Sequence, residues 1–548
     1  FLEFLREKQG NLAPEEIREV YTRDAQWCME NNLSIDAAVD YERARDYGGL
    51  LRVIYALPPL LSNTMASFFL ETLNRLIPEI GDDEENEDRL FLWFIIRPRL
   101  LMFLGRFEEA AGEFRKAISR FESQPPGPRC SGLLALAYCS MGTLTILSCR
   151  YTRDYNFVSW FERGYHYYLE HPEAVPGQRI YSNLTSYVFQ VGAPAEPGEI
   201  ERSIKALTLA VPYASSALNG FLYGTDSLAS AELAYYRGDL INAEKFARQA
   251  VYQGREKKQY EVENRGLFYL IRICIHTGNF TEIRELERQL EVQLEISDYY
   301  NRYVIYDIIM GRFYARIGLI DKVASWLRDT VDAGELNGLF GDFDVLIKAQ
   351  CFFIEKKYLS ALHILEEEKK RNNLGSFLLG KLEMAVLEAA ARYHLGEEEQ
   401  ALAVLEEAYT MAAPNALDMP FIERGEDMRL LAGAILAREG SPARCGRIPR
   451  PWLENIRSRS SAYSKQVSLV LEQYREEKQA EQKAAVYLTR REREVLTGLA
   501  RGLKRENIAR ETGLSLNAIK VIIRDIYRKL GAVNRADAIR IAGSLKIV

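Results

Sequence analysis

Leu488-Thr-Arg-Arg-Glu-Arg-Glu-Val-Leu496 opens the tail of this 548-residue chain, and Gly502, Ile508-Ala509, Gly513-Leu-Ser515, Ile519-Lys520, Ile526-Tyr-Arg-Lys-Leu-Gly531 and Val533-Asn-Arg535 follow it. Thr489 with Glu492 is a capping-box pattern, so a helix is predicted to start there, and Gly502 ends it. A second helix is predicted from about Lys504 to Thr512, burying Ile508 and Ala509. Gly513 supplies a left-handed turn that a bulky residue would resist. Ser515 is a natural N-cap for a third helix. Asn534 with Asp537 caps a fourth, carrying Ala538, Ile541 and Ala542.

The third helix has two faces by spacing. Ile519, Ile523, Ile526 and Leu530 recur at the helical period and face a core. Asn517, Lys520, Val521, Arg524 and Arg528 recur on the other side. A helix fits the major groove, where Arg or Lys reaches guanine acceptors, Asn pairs with adenine, and a small apolar side chain touches a thymine methyl. Small and flexible residues at 509 and 513, with apolar Ile519, suit the tight crossing of two helices at a turn. Charge agrees with this reading. Residues 487–548 carry 14 Lys and Arg against 6 Asp and Glu, a net of +8, while the whole chain is at −6, which leaves −14 on residues 1–486. A basic tail on an acidic body is expected when only the tail meets phosphate. The bland alternative is a small helical domain with a solvated basic face.

Residues 488–542 resemble the LuxR-type family, whose pattern runs L-T-x-R-E-x-E-V-L, E-I-A, S-x-x-T-V-K-x-H, I-Y-x-K-L-G-V and N-R. The promoter-reading region of a sigma factor opens in the same way, but Leu530-Gly-Ala-Val-Asn-Arg535 and the fourth helix follow the LuxR type. The resemblance implies that Lys520, Val521 and Arg524 reach base edges and that Lys504, Arg505 and Lys529 meet phosphates; Asn517 is expected to join the base contacts, and Ser515 and Arg528 the phosphate contacts. It also implies that the helix from Asn534 to Leu545 pairs two copies. Three positions depart from the pattern: Ala518 replaces Thr, Ile522 replaces His, and Asn507 replaces Glu. They put the family's consensus half-site in doubt, not the helix pattern.

Five segments upstream align, ending in turn residues at 238, 278, 318, 357 and 396, at spacings of 40, 40, 39 and 39. Five residues after each turn stand Ala243, Ile283, Val323, Leu362 and Ala401, which should pack the second helix of each pair on the first. Gly105 with Phe107 and Ala110 reads as an earlier copy. A fixed period near 40 with two helices per unit predicts an α-solenoid, similar to tetratricopeptide repeats. Around Asp24 to Gly48 the chain resembles the segment that follows the ATPase in MalT-like regulators. No G-x-x-x-x-G-K-[ST] phosphate loop occurs here, and the first residue is Phe1, so an ATPase module is expected to precede this sequence.

The expected organisation is a helical segment over 1–90, a repeat body over 91–440, a linker and connecting helix over 441–486, and the helix-turn-helix over 487–548, all-α throughout. Residues 438–461, rich in Pro, Gly, Ser and Arg, read as linker. The helix from Tyr463 to Ala485 either spaces the tail from the rod or docks on it through Val467, Val470, Leu471 and Tyr474. Seven scattered Cys without C-x-x-C point to a reduced cytoplasm rather than to disulfides or zinc. Five His lack an i, i+4 pair or H-E-x-x-H, and G-x-S-x-G is missing, so neither a metal, a cofactor nor an enzyme is expected. The uncharged run Cys130–Cys149 is long enough to span a membrane, but its Ser, Thr and Gly content and its repeat setting favour a buried helix. The acidic runs at 82–85 and 366–368 read as solvated faces, and the tyrosines of the body, such as Tyr165, Tyr299 and Tyr303, as packing.

Together these features imply a regulator that binds double-stranded promoter DNA, at an inverted repeat, as a homodimer. Its solenoid would sense a small-molecule or protein effector. The rival reading is an interaction scaffold with weak DNA binding, and a third is the regulatory fragment of an ATPase.

Overall fold

The computed structural model describes residues 13–31, 33–57, 63–76, 90–152, 156–174, 197–296, 299, 302–329, 341–371, 378–437, 447–481, 488–544 and 547. Among them all regular structure is helical. The N-terminal part runs α1 (Pro14–Glu30), α2 (Ser34–Ala44), α3 (Tyr47–Tyr55), α4 (Asn63–Leu76), α5 (Arg97–Phe103), α6 (Phe107–Glu122), α7 (Pro128–Thr152) and α8 (Phe157–Glu170). The repeats follow as α9 (Glu199–Ala217), α10 (Thr225–Arg237), α11 (Leu240–Glu256), α12 (Tyr260–Thr277), α13 (Phe280–Val292), α14 (Arg302–Ile317), α15 (Ser325–Asp329), α16 (Gly341–Ile354), α17 (Tyr358–Arg371), α18 (Leu378–His394) and α19 (Glu398–Ala412). They close with α20 (Met419–Ile422), α21 (Glu426–Ala437) and α22 (Arg450–Glu481), and the tail holds α23 (Arg490–Ala500), α24 (Arg505–Thr512), α25 (Leu516–Leu530) and α26 (Arg535–Ser544).

The repeat reading is realised as helix pairs. Consecutive helices pack as antiparallel neighbours from α10 to α13 and from α16 to α19. Ala243, Ile283, Val323, Leu362 and Ala401 are all buried, as their spacing predicts. Two units deviate. The left-handed residue of the fourth turn is Lys356, at φ 60°, one place before Lys357. In the third unit Val323 sits in extended backbone after a 3-10 turn, and α15 starts two residues later, at Ser325. The run Cys130–Cys149 lies in α7, whose apolar stretch Pro128–Leu147 is 89% buried. Gly164 of α8 lies against Cys139 and Gly142 of α7 against Phe161, so a β-carbon at either would collide with the facing helix. This close packing, rather than lipid, accounts for the absence of charge.

Where 438–461 reads as linker, helix α22 already begins at Arg450. Pro451 sits in the first turn, where its missing N–H costs nothing, and Trp452, Leu453 and Ile456 supply an apolar stripe. The long helix docks on the repeats: Leu453, Ile456, Tyr463, Val470 and Tyr474 are buried, with Val467 and Leu471 half-buried. Trp452 donates to Asp418 (2.9 Å) and meets Phe421 edge-on, 4.9 Å between centroids. Tyr474 meets Phe280 in the same way at 4.9 Å. Gly238, at φ +81°, is where Arg459 of α22 crosses the α10–α11 turn, and a side chain there would strike the guanidinium.

Under α22 lies a buried polar network. Glu423 accepts from Arg272 Nε (3.1 Å) and Nη2 (2.6 Å) and from the Tyr235 hydroxyl (2.6 Å). Burial alone would raise its pKa, but Arg272 and Arg316 hold it well below the usual carboxylate range. The His276 ring meets that of Tyr463 of α22 at a tilt, 4.7 Å between centroids. Burial, with Arg272 and Arg459 nearby and only Glu423 opposing, lowers its pKa to about 4.

His276 is therefore neutral in the folded state and protonates more readily once unfolded. Its contribution is complete above pH 6.5 and is lost as pH falls towards 4, up to about 3 kcal/mol at roughly 1.4 kcal/mol per unit. Asp40, raised to about 6 by burial and its contact with Asp24, slopes the other way. The difference between wild type and His276→Phe thus isolates the histidine: in urea titrations from pH 7 to pH 4 the variant should lose less stability. Parallel curves would contradict the assignment.

Candidate nucleic-acid interface

Helix α23 starts on the expected capping box. Glu492 N–H donates to Thr489 Oγ1 (3.1 Å), and Thr489 N–H returns to Glu492 Oε2 (2.7 Å). Gly513 adopts φ 68° between α24 and α25, and Ser515 Oγ accepts from Ala518 N–H at 3.2 Å. Asn534 Oδ1 accepts from Asp537 N–H at 2.9 Å and so caps α26. Val495, Leu496, Ile508, Ile519, Ile523, Ile526 and Ala538 close a small core around which the four helices fold.

At about 100° per residue, α25 carries three stripes rather than two. Ile519, Ile523, Ile526 and Leu530 face the tail's own core and are buried. Asn517, Lys520, Arg524 and Arg528 are exposed on the opposite side, with Val521 half-buried among them. Between the two runs Ala518, Ile522 and Asp525, all buried, with Lys529 completing the row. The base-edge residues predicted from sequence therefore share one face. Lys504 is the N-cap position of α24 and Arg505 its first residue, both exposed. Ser515 is half-buried and spends its oxygen on the cap. Lys529, expected at phosphate, belongs to the flanking stripe, and its ammonium lies 2.6 Å from Glu492 Oε2, tying α25 to α23.

The tail also meets the body. Helix α15 packs against α25. Beside that contact Arg491 of α23 enters the body almost fully buried. Its guanidinium lies over the Tyr303 ring, 4.2 Å from the centroid, and 3.9 Å from Asp307 Oδ2, while Nη2 donates to Thr512 O at 2.9 Å within the tail. Burial lowers its pKa to about 10 against the pull of Asp307. Trp326 of α15 donates to the same Asp307 oxygen at 2.7 Å. Arg490 pairs with Glu295, and Arg510 with Asp36. Arg491, Asp307 and Trp326 did not stand out in the sequence. Ile522, an apolar residue where the family pattern has His, is buried on α25.

Residues 486–542 match the family described as bacterial regulatory proteins, luxR family, and residues 200–437 match the MalT-like TPR region. The chain joins a MalT-like repeat body to a luxR-family tail. Among curated proteins it is similar to the probable transcriptional regulatory protein SgaR of Hyphomicrobium methylovorum, 45% identical over 58 residues, 11% of this chain and 28% of that protein. It is also similar to the HTH-type transcriptional regulator MalT of Vibrio parahaemolyticus serotype O3:K6, 29% identical over 191 residues, 34% of this chain and 20% of that protein. The chain thus spans between a fifth and three-tenths of the length of these relatives.

Replacing Glu492 by Ala removes both the return bond of the capping box and the Lys529 bridge. Amide exchange across 490–500 in the full chain should quicken about tenfold, the equivalent of about 1.4 kcal/mol and within the range of a lost cap. Unchanged protection would mean that neither bond holds α23 in place.

Proposed function

We propose that this chain is a sequence-specific DNA-binding transcriptional regulator whose repeat body restrains its own DNA-binding tail. The observation that carries the DNA-binding half is the exposed stripe Asn517, Lys520, Arg524 and Arg528 on a capped helix of a luxR-family domain. In this reading α25 enters the major groove, Asn517, Lys520, Val521 and Arg524 reach base edges, and Lys504, Arg505 and Arg528 position the helix on phosphates. Helix α26 pairs two copies on an inverted repeat, and Val533, 84% exposed just ahead of it, is apolar surface available to that pairing.

The restraint rests on size. A helix with its side chains is about 10–12 Å across and the major groove about 12 Å wide. A recognition helix fills the groove, so a second helix packed along its flank has no room there. With α15 on α25, insertion of α25 requires the tail to leave the body. An effector that favours the undocked state would then favour DNA binding by its differential affinity for the two states. The scaffold reading, with DNA binding weak, gains no specific support from the exposed basic stripe.

Selection of bound sequences from a random duplex pool should enrich an inverted repeat. On that site Lys520→Ala and Arg524→Ala should each cost roughly 1–3 kcal/mol and relax preference at one base position. Uniform loss across sequences, with only the salt slope reduced, would reassign them to phosphate contact. For the restraint, Trp326→Ala and Asp307→Asn lie outside the tail and should tighten operator binding about tenfold, a docking bias of about 1.4 kcal/mol. Equal or weaker binding would show that the dock does not compete with DNA.

A further inference from the structure

The repeat body holds an open cavity of about 30 Å³ between α14, α16, α18 and the segment after α20. Its polar lining is Arg312, Arg316, Gln350, Glu383 and Arg424, set in apolar walls from α16 and α18. The charges do not balance. Arg312 pairs with Glu383, and Arg272 and Arg316 share Glu423, with Arg316 Nη2 3.6 Å from Oε2. Arg424, only 9% exposed, donates Nη1 to Gln350 Oε1 at 2.6 Å and has no ion pair with an acid among the described residues. Arginine stays protonated, so it cannot escape burial by losing its charge, and buried charges are ordinarily paired.

We infer that this cavity is a binding site for the carboxylate or phosphate group of a small anionic metabolite, which supplies the charge that Arg424 lacks. The planar guanidinium fork suits two parallel hydrogen bonds to such a group. Gln350 holds Arg424 from the side, leaving the remaining N–H groups for the ligand, and Arg316 stands on the same cavity with 16% of its side chain exposed, so the space is reached from solvent. The volume exceeds the ~10–15 Å³ that one water requires and suits a head group, the rest of the metabolite lying outward. The site lies in the body and is independent of what the tail binds.

The test uses the full chain without DNA, titrated at constant ionic strength with sodium phosphate and, separately, sodium succinate, and followed by calorimetry and thermal unfolding. At least one anion should raise the unfolding temperature of wild type along a saturating curve. Arg424→Gln should weaken that binding tenfold or more. The same variant should be no less stable than wild type when no anion is present, because it removes an uncompensated buried charge. Arg424→Lys, which keeps the charge but not the fork, should bind between the two. The double variant Lys520→Ala/Arg524→Ala, altered only in the tail, should bind as wild type does. Loss of binding in that double variant, an anion response equal in Arg424→Gln and wild type, or no response to either anion would overturn the assignment.

Discussion

The buried carboxylate of Glu423 is the point on which the body's architecture turns. It sits between α20 and α21 and is met by Arg272 of α12, Arg316 of α14 and Tyr235 of α10, so residues far apart in the chain share one charge. In a stack of helix pairs each unit needs only its neighbours. A carboxylate that gathers guanidiniums from two repeats and a hydroxyl from a third makes those units depend on one another. Removing it would strand at least one buried cation, far costlier than the pair is stabilising. The network ties these repeats to one another, and α22 lies against it, with Tyr463 meeting His276.

Helix α14 links the body's contact with the tail to the cavity. Its N-terminal half carries Tyr303 and Asp307, which receive Arg491 of the tail. Its C-terminal half carries Arg312 and Arg316, which line the cavity. One rigid helix of 16 residues therefore touches both the docked tail and the unbalanced charge. The unit it begins is also irregular, with a 3-10 turn and Val323 in extended backbone ahead of α15, and α15 packs on α25.

The tail was legible in the sequence almost to the residue, because capping, turn and period are local signals: Thr489, Gly513, Ser515 and Asn534 act within four residues of themselves. The repeat period was legible for the same reason, through Gly238, Gly278, Gly318 and Gly396. The docking of α22 was left open, since Val467, Val470 and Tyr474 mark an apolar face without naming its partner, and its start at Arg450 was hidden by prolines that a first turn tolerates. The flanking stripe of α25 was missed for a related reason. Ile522 extends the apolar face by its residue type, and nothing in the local spacing marks Asp525 as buried. Arg424, Arg316 and Gln350 are far apart in sequence, and no spacing rule brings them together.

The charge asymmetry of the chain carries a consequence for how the tail is released. A net of +8 on residues 487–548 is drawn to phosphate, while the acidic body draws other cations of the same domain, Arg490, Arg491 and Arg510, through Glu295, Asp307 and Asp36. DNA and body thus compete for one basic domain, and exposed ion pairs on either side weaken as salt rises. What salt screens poorly is the buried part of the dock, Arg491 over Tyr303 beside Asp307 and Trp326. Its guanidinium has been stripped of water and regains it on release, so the dock contributes less than its close geometry suggests. A restraint built this way holds the tail without trapping it, which is what a regulator requires if a modest difference in ligand affinity is to decide between the two states.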